Sequence, residues 1–223
     1  MKLGVIPARL HSTRFPKKIL TDINGKPMVI QTAERVSKSK NLDRLVIAID
    51  NEETFEALKD FDFEIMMTSD SHKSVTDRIA EVIEKIDDVD VVVNIQADEP
   101  FIDSKLIDEL IKSFEDSNIE MSTLVSTHLF GSDLLDENVV KAVLDNDNFA
   151  IDFHRTHGTY KHLGIYAFTK ETLLKFVSFN QSENEKNRKL EQMRALDNGI
   201  KIKSIITDKD SLSINVKGDM NNV

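Results

Sequence analysis

The chain has 223 residues, of which 40% are apolar and 30% charged; its formal net charge is −10 and it has no cysteine. That length supplies one domain with a sizeable core, read here as residues 1–223. The acidic balance excludes a general nucleic-acid binder, the missing thiols exclude disulfides and thiolate chemistry, and no apolar run reaches membrane-spanning length, so a cytoplasmic protein is expected.

Along the chain, short apolar runs alternate with amphipathic segments. "LGVI" (3–6) reads as a buried strand, followed by the basic stretch "IPARLHSTRFPKKIL" (6–20) with Arg9, Arg14, Lys17 and Lys18. Helical spacing at 27–39 precedes a strand "LVIAI" (45–49), a helix at 52–60, a strand "FEIMM" (63–67) and a helix at 75–87. "VVVNI" (91–95) is a further strand, and Asp103 is placed to cap a helix over 104–117. Strand and helix alternating at this pitch predict βαβ units and a mostly parallel, twisted sheet flanked by helices. The second half is less regular. "MSTLVST", "VVKAVLD", "HLGIYAF" and "KIKSII" read as strands, some antiparallel, with helices at 170–178 and 186–198. The predicted fold is therefore α/β with a mixed-sheet extension.

Four positive side chains in an acidic chain point to a small anion. The stretch follows the first strand directly, so it emerges at the sheet's carboxyl edge, where phosphates commonly bind. Arginine offers a planar fork to phosphate oxygens and lysine a mobile point charge. Composition alone equally allows ordinary surface cations. "NIQADEP" (94–100) sets Asp98 and Glu99 just past a strand end, where a carboxylate can hold Mg²⁺ beside substrate phosphates, or simply polarise a turn. In "HKSVTDR" (72–78), Ser74 or Thr76 suits a helix cap. In isolation His162 reads as a structural histidine, and Glu191 and Gln192 as an exposed helix face.

Taken together, "IPARLHSTRFPKKILTDINGKPM", "VIAID", "MTSDSHKSVTDRIAEV", "VVNIQADEP", "VKAVLD", "KHLGIYAF" and "LEQMRAL" resemble, in order and over residues 3 to about 200, the 3-deoxy-manno-octulosonate (Kdo) cytidylyltransferases. The resemblance implies a nucleotide-diphospho-sugar transferase fold, usually dimeric. It implies transfer from CTP to Kdo, giving CMP-Kdo and pyrophosphate for lipopolysaccharide or capsule assembly. Arg9, Arg14 and Lys18 would hold the CTP phosphates, with Ser12 also CTP-binding and Ser74, Thr76 and Arg78 near the nucleotide. Asp98 would bind Mg²⁺, and Arg9, Lys18 and Asp98 would form the catalytic set. Gln96, Arg155, His162, Tyr166, Glu191 and Gln192 would line the sugar-acid pocket. The partners implied are CTP, a 3-deoxy-ulosonic acid and a second copy of the chain, with no nucleic acid and no membrane.

The chain also departs from the family pattern. Lys17, Val75 and Ala97 stand at family glycine positions, which can demand positive φ or close ligand approach; Val75 would tolerate positive φ poorly. Asn215 falls where a second metal carboxylate is expected, and the family's long segment between "DFH" and "KHLG" is cut to "RTHGTY". These departures motivate two alternatives: the same chemistry on another ulosonic acid such as amino-Kdo, or a nucleotide- or sugar-binding homologue without turnover.

Overall fold

A computed structural model describes residues 1–11, 15–72, 74–210 and 213–214. Two compact units emerge, one built from the described residues of 1–108 with 213–214, the other from 109–210.

In the first unit, β1 (Lys2–Ala8) leads into a 3₁₀ turn at Lys18–Leu20 and a small hairpin, β2 (Asp22–Ile23) with β3 (Lys26–Pro27). Asn24 and Gly25 both take positive φ (53° and 85°), the geometry of a tight two-residue hairpin turn. Then come α1 (Met28–Val36), β4 (Arg44–Ile49), α2 (Glu52–Leu58), β5 (Glu64–Met67), α3 (Val75–Glu84) and β6 (Val91–Asn94), and α4 (Ser104–Lys112) runs across the boundary. The strands pair in the order β6-β1-β4-β5, all parallel, with Gly4 opposite both Leu45 and Val93. A parallel sheet with helices on its faces buries both sides of each central strand, so its strands read as unbroken apolar runs. Leu3, Val5 and Ile6 of β1, Val46 to Ile49 of β4, and Val92 and Val93 of β6 are accordingly fully buried. Each valine, leucine or isoleucine among them contributes about 1.5–3 kcal/mol of burial.

The second unit contains β7 (Met121–Ser126), α5 (Gly131–Leu135), β8 (Lys141–Leu144), β9 (Ala150–His154), β10 (Tyr160–Thr169), α6 (Lys170–Ser178), α7 (Glu183–Arg188), α8 (Met193–Asp197) and β11 (Ile202–Thr207). β7 runs parallel to β11 and antiparallel to β10, while β8 pairs antiparallel with both β10 and β9. This is the mixed sheet expected from the irregular second half.

Several boundaries differ from the sequence reading for local reasons. The helix expected at 104–117 ends at Lys112 and tightens into a 3₁₀ turn at Ser113–Glu115, while Asp103 accepts the Lys105 N–H at 2.9 Å as the expected cap. The single helix expected at 186–198 is two. Lys189 closes α7 in the left-handed region (φ 55°, ψ 47°), which stops the i→i−4 ladder before α8 begins. β9 was not anticipated. Its polar Asp152 and His154 break the apolar alternation that marks a strand. No helix of the described residues is long and apolar enough to cross a membrane.

Candidate active site

At the carboxyl edge of the first unit's sheet, one carboxylate gathers three strand ends. Asp50, just past β4, accepts the Leu10 N–H beyond β1 at 3.1 Å through Oδ1 and the Arg78 guanidinium at 3.1 Å through Oδ2. Arg78 also donates to the Thr68 hydroxyl beyond β5, and that hydroxyl donates to the Ile49 carbonyl at 2.7 Å. Arg78 is only 3% exposed. Burial lowers its pKa and nearby Arg9 adds to that, while Asp50 and Glu81 offset it; a guanidinium stays charged regardless. Arg78 therefore braces the edge, and exposed Arg9 adds its positive charge beside it.

Lys18 opens the 3₁₀ turn and its ammonium ion-pairs with Asp98 on the turn after β6. The side chains are 14% and 18% exposed, so this pair is partly withdrawn from water but reachable. The turn is held from two sides. The Thr32 hydroxyl on α1 donates to the Ala97 carbonyl at 3.1 Å, and the Ile214 N–H donates to the Asp98 carbonyl at 2.9 Å. Ile214 packs with Ile23 and Met28, flanked by Phe15 and Phe101, seating the returning segment by hydrophobic burial. Gln96 is half-buried on the same turn. Ser12, Arg14 and Asn215 lie outside the described residues.

Ser74 is the N-cap of α3. Its hydroxyl accepts the Asp77 N–H, and Asp77 accepts the Ser74 N–H, each at 3.1 Å, making a capping box. Thr76 is buried at 2% exposure. Behind the cap, Glu81 accepts from Lys85 at 2.6 Å, the Ser69 N–H at 2.9 Å and His72 at 2.5 Å. Burial opposes its ionisation, yet these donors hold its pKa at about 2.

In the second unit, β10 carries His162 and Tyr166 on either side of a register shift against β7. The Thr123 hydroxyl donates to the Ile165 carbonyl at 2.7 Å and lies 2.9 Å from Nε2 of His162. With the hydroxyl proton so committed, the imidazole donates through Nε2–H and keeps Nδ1 as an acceptor. Burial depresses its pKa to about 3, so the ring is neutral. His162 lies edge-on to Phe153 (4.9 Å between centroids) and tilts against Tyr166 (5.2 Å). Burial, aided by the charge of Glu191, raises the Tyr166 phenol well above its ordinary value. Gln192 is 6% exposed before α8. Beneath them the buried Glu185–Arg194 pair is bidentate, at 2.6 and 2.8 Å, and fixes α7 to α8.

Arg155 sits differently from a free carboxylate ligand. Its Nη1 donates to the Glu137 carbonyl at 2.8 Å, its Nη2 to Lys189 at 3.1 Å and its Nε to Arg188 at 3.2 Å. In this arrangement it ties three backbone segments together. Lys141 does the same from below: fully buried, its ammonium bonds the carbonyls of Asp136 (2.8 Å) and Arg155 (2.6 Å).

The comparisons with known proteins match this architecture. The cytidylyltransferase family model covers residues 3–202. The 3-deoxy-manno-octulosonate cytidylyltransferase of Parabacteroides distasonis is 40% identical across 98% of this chain and 94% of its own, and that of Geotalea daltonii 38% identical across 99% and 95%. The chain belongs to the 3-deoxy-manno-octulosonate cytidylyltransferase family. A solved CMP:2-keto-3-deoxy-manno-octonic acid synthetase complexed with CTP superimposes on this cytidylyltransferase with a TM-score of 0.93 at 28% identity, over 99% of this chain and 95% of that one. A glucose-1-phosphate thymidylyltransferase-like protein of Bacillus anthracis, at 14% identity and TM-score 0.73, shares the fold.

Within this cytidylyltransferase the three replaced family glycines behave differently. Val75 is the first residue of α3 and has no positive φ, so the strain expected there is absent. Ala97 also has ordinary φ. Lys17 alone of the three keeps a left-handed backbone, with φ 55° and ψ 27°. Sequence reasoning missed Asp50, Glu81 and Lys141. All three stand inside the motif blocks "VIAID", "MTSDSHKSVTDRIAEV" and "VKAVLD", which was the available signal.

Proposed function

We propose that this cytidylyltransferase activates 3-deoxy-manno-octulosonate with CTP, releasing CMP-Kdo and pyrophosphate. The observation that carries the reading is the Lys18–Asp98 pair at the sheet's carboxyl edge: a cation for phosphate and a carboxylate for metal on adjoining turns. The 40% identity to a relative of that name across nearly the whole chain supports the same acceptor.

The residues present fit Mg²⁺, a hard cation that prefers oxygen and needs only one or two protein carboxylates beside phosphates and water. Asp98 would hold the ion as Lys18 turns from it to the phosphates, and the ion would neutralise charge on phosphate oxygens. Lys18 and Arg9 hold the triphosphate and balance the charge that grows on departing pyrophosphate. In the step itself, the anomeric hydroxyl oxygen bonds to the α-phosphorus as the bond to the bridging oxygen of pyrophosphate breaks, and the hydroxyl proton passes to solvent water. No side chain becomes covalently attached; positioning supplies the rate. Asp50 and Arg78 keep the nucleotide edge in register, with Ser74 and Thr76 at the head of α3 on that same edge. On the acceptor side, Nδ1 of neutral His162 accepts a sugar hydroxyl. Tyr166, Glu191 and Gln192 are the further polar groups of that unit offered to the acceptor, and Arg155 meets the sugar carboxylate in exchange for a main-chain carbonyl. The protein works as a dimer in the cytoplasm and feeds lipopolysaccharide or capsule assembly.

The experiment is pyrophosphate release with CTP, Kdo and Mg²⁺. Turnover is expected with wild type, and a loss of at least a hundredfold in Asp98→Ala and Lys18→Ala. CTP binding without turnover, with any ulosonic acid, would overturn the reading.

A further inference from the structure

On β9, Asp152 and His154 are two residues apart and so share one side of the strand. The chain then turns back, and the His157 ring stacks on that of His154, with centroids 3.7 Å apart and planes at 33°. Nε2 of His154 is 2.7 Å from Oδ2 of Asp152. One donor atom from each of Asp152, His154 and His157 lies within 4.8 Å of the others. We propose that these three residues form a binding site for a divalent transition-metal ion of the zinc type.

Two imidazoles and a carboxylate suit zinc, cobalt or nickel, whereas magnesium prefers an all-oxygen shell. Zinc bonds to such donors at about 2.0–2.2 Å, which puts tetrahedral ligands about 3.4 Å apart. The His154–Asp152 contact therefore opens by under about 1 Å, and the widest separation closes by at most about 1.4 Å. Side-chain rotation covers both movements. Three protein ligands leave the fourth position to water.

The surroundings hold the donors in place. Arg188 donates to Oδ1 of Asp152 and, at 3.0 Å, to the Phe153 carbonyl, which leaves Oδ2 to the ion. Although burial works against it, the Arg188 bond and the Phe153 N–H keep Asp152 ionised. The Thr156 hydroxyl meets Nδ1 of His157 at 3.2 Å and orients that ring. Partners of this kind set the pose of metal-binding side chains. The turn itself is pinned. Gly158 has φ +154°, and a Cβ there would fall 2.4 Å from Cβ of Lys141, so the loop lies directly on β8. One ion would join β9 to the turn that replaces the family's longer segment, on either side of Arg155. The positive charge of Arg188 limits the affinity without blocking the site.

The test uses the full-length protein, stripped with chelator and titrated with Co²⁺ followed by absorption and with Zn²⁺ followed by calorimetry. One ion per chain with ligand-field absorption is expected. His157→Gln, an exposed position, should weaken Zn²⁺ by about tenfold or more, and the double variant His154→Gln/His157→Gln by a hundredfold or more. Circular dichroism checks that both variants remain folded. Asp98→Asn should leave Zn²⁺ affinity unchanged. Absence of binding in wild type, wild-type affinity in the folded double variant, or loss of the ion in Asp98→Asn would each overturn the proposal.

Discussion

Lys17 holds a backbone conformation that a side chain bearing Cβ disfavours by about 1–2 kcal/mol. Among the described residues its side chain is compensated by an exposed ion pair with Glu53, of a kind that contributes about 0–1 kcal/mol. Lys17→Gly should therefore stabilise the protein by roughly 0.5–1 kcal/mol in urea unfolding, against the usual direction of a glycine substitution. His162 supplies a second prediction at this scale. Its folded pKa of about 3 lies below the unfolded value near 6.5, so the unfolded chain takes up a proton first as pH falls. The neutral histidine thus costs stability progressively below pH about 6.5, with a slope of at most about 1.4 kcal/mol per pH unit that ends near pH 3. Between pH 7 and 5, wild type should lose up to about 2 kcal/mol more than His162→Gln, measured by urea unfolding at both pH values.

Among the elements, the α7–α8 corner and the head of α3 rest on charged groups more than on apolar faces. Arg194→Ala leaves Glu185 buried without its bidentate partner and should cost about 3–5 kcal/mol. Glu185→Leu/Arg194→Met should recover most of that, because an apolar pair of similar volume removes both desolvation costs. Glu81 works at the other corner. Its depressed pKa gives stability that is present above pH about 4.5 and is lost as pH falls toward 2, so Glu81→Gln should unfold more readily at pH 7 by about 1–2 kcal/mol and resemble wild type near pH 2. The elements also show what a sequence reveals. The parallel strands of the first unit were legible because both faces are buried and the apolar runs are unbroken. α6 was legible from end to end, with Thr169 as its cap. The break at Lys189 was not, since no glycine or proline marks it, and β9 was hidden by the polar Asp152 and His154 that it carries on one side toward Arg188 and the turn.

For the whole molecule, binding of substrate only to the folded state raises stability by mass action. CTP with Mg²⁺ at about a hundred times its dissociation constant should add roughly 2.7 kcal/mol, or about 5–10 °C in thermal midpoint for a chain of this size. Chelator should abolish the shift. The motif blocks picked out residues that lie at the sheet's carboxyl edge, but they could not show which of them are already engaged within the protein. Arg78, assigned to the nucleotide from the sequence, is engaged with Asp50 and Thr68, and Ser74 is engaged with its own helix. That distinction depends on long-range contacts, which spacing along the chain does not encode.

The Lys18–Asp98 pair carries a consequence for the order of ligand arrival. A bare triphosphate that captures Lys18 strands Asp98 as an uncompensated anion beside four negative charges, and a bare cation that captures Asp98 releases Lys18 beside a like charge. Each ligand alone must break the pair; together they exchange partners with no net loss of charge balance. If Lys18 takes the triphosphate and Asp98 the cation, as proposed, the two would bind with positive linkage in the protein, beyond their mutual attraction in water. Replacing Asp98 with Asn should disconnect them, so that CTP in chelator binds the variant more tightly than it binds wild type while Mg²⁺ no longer improves it.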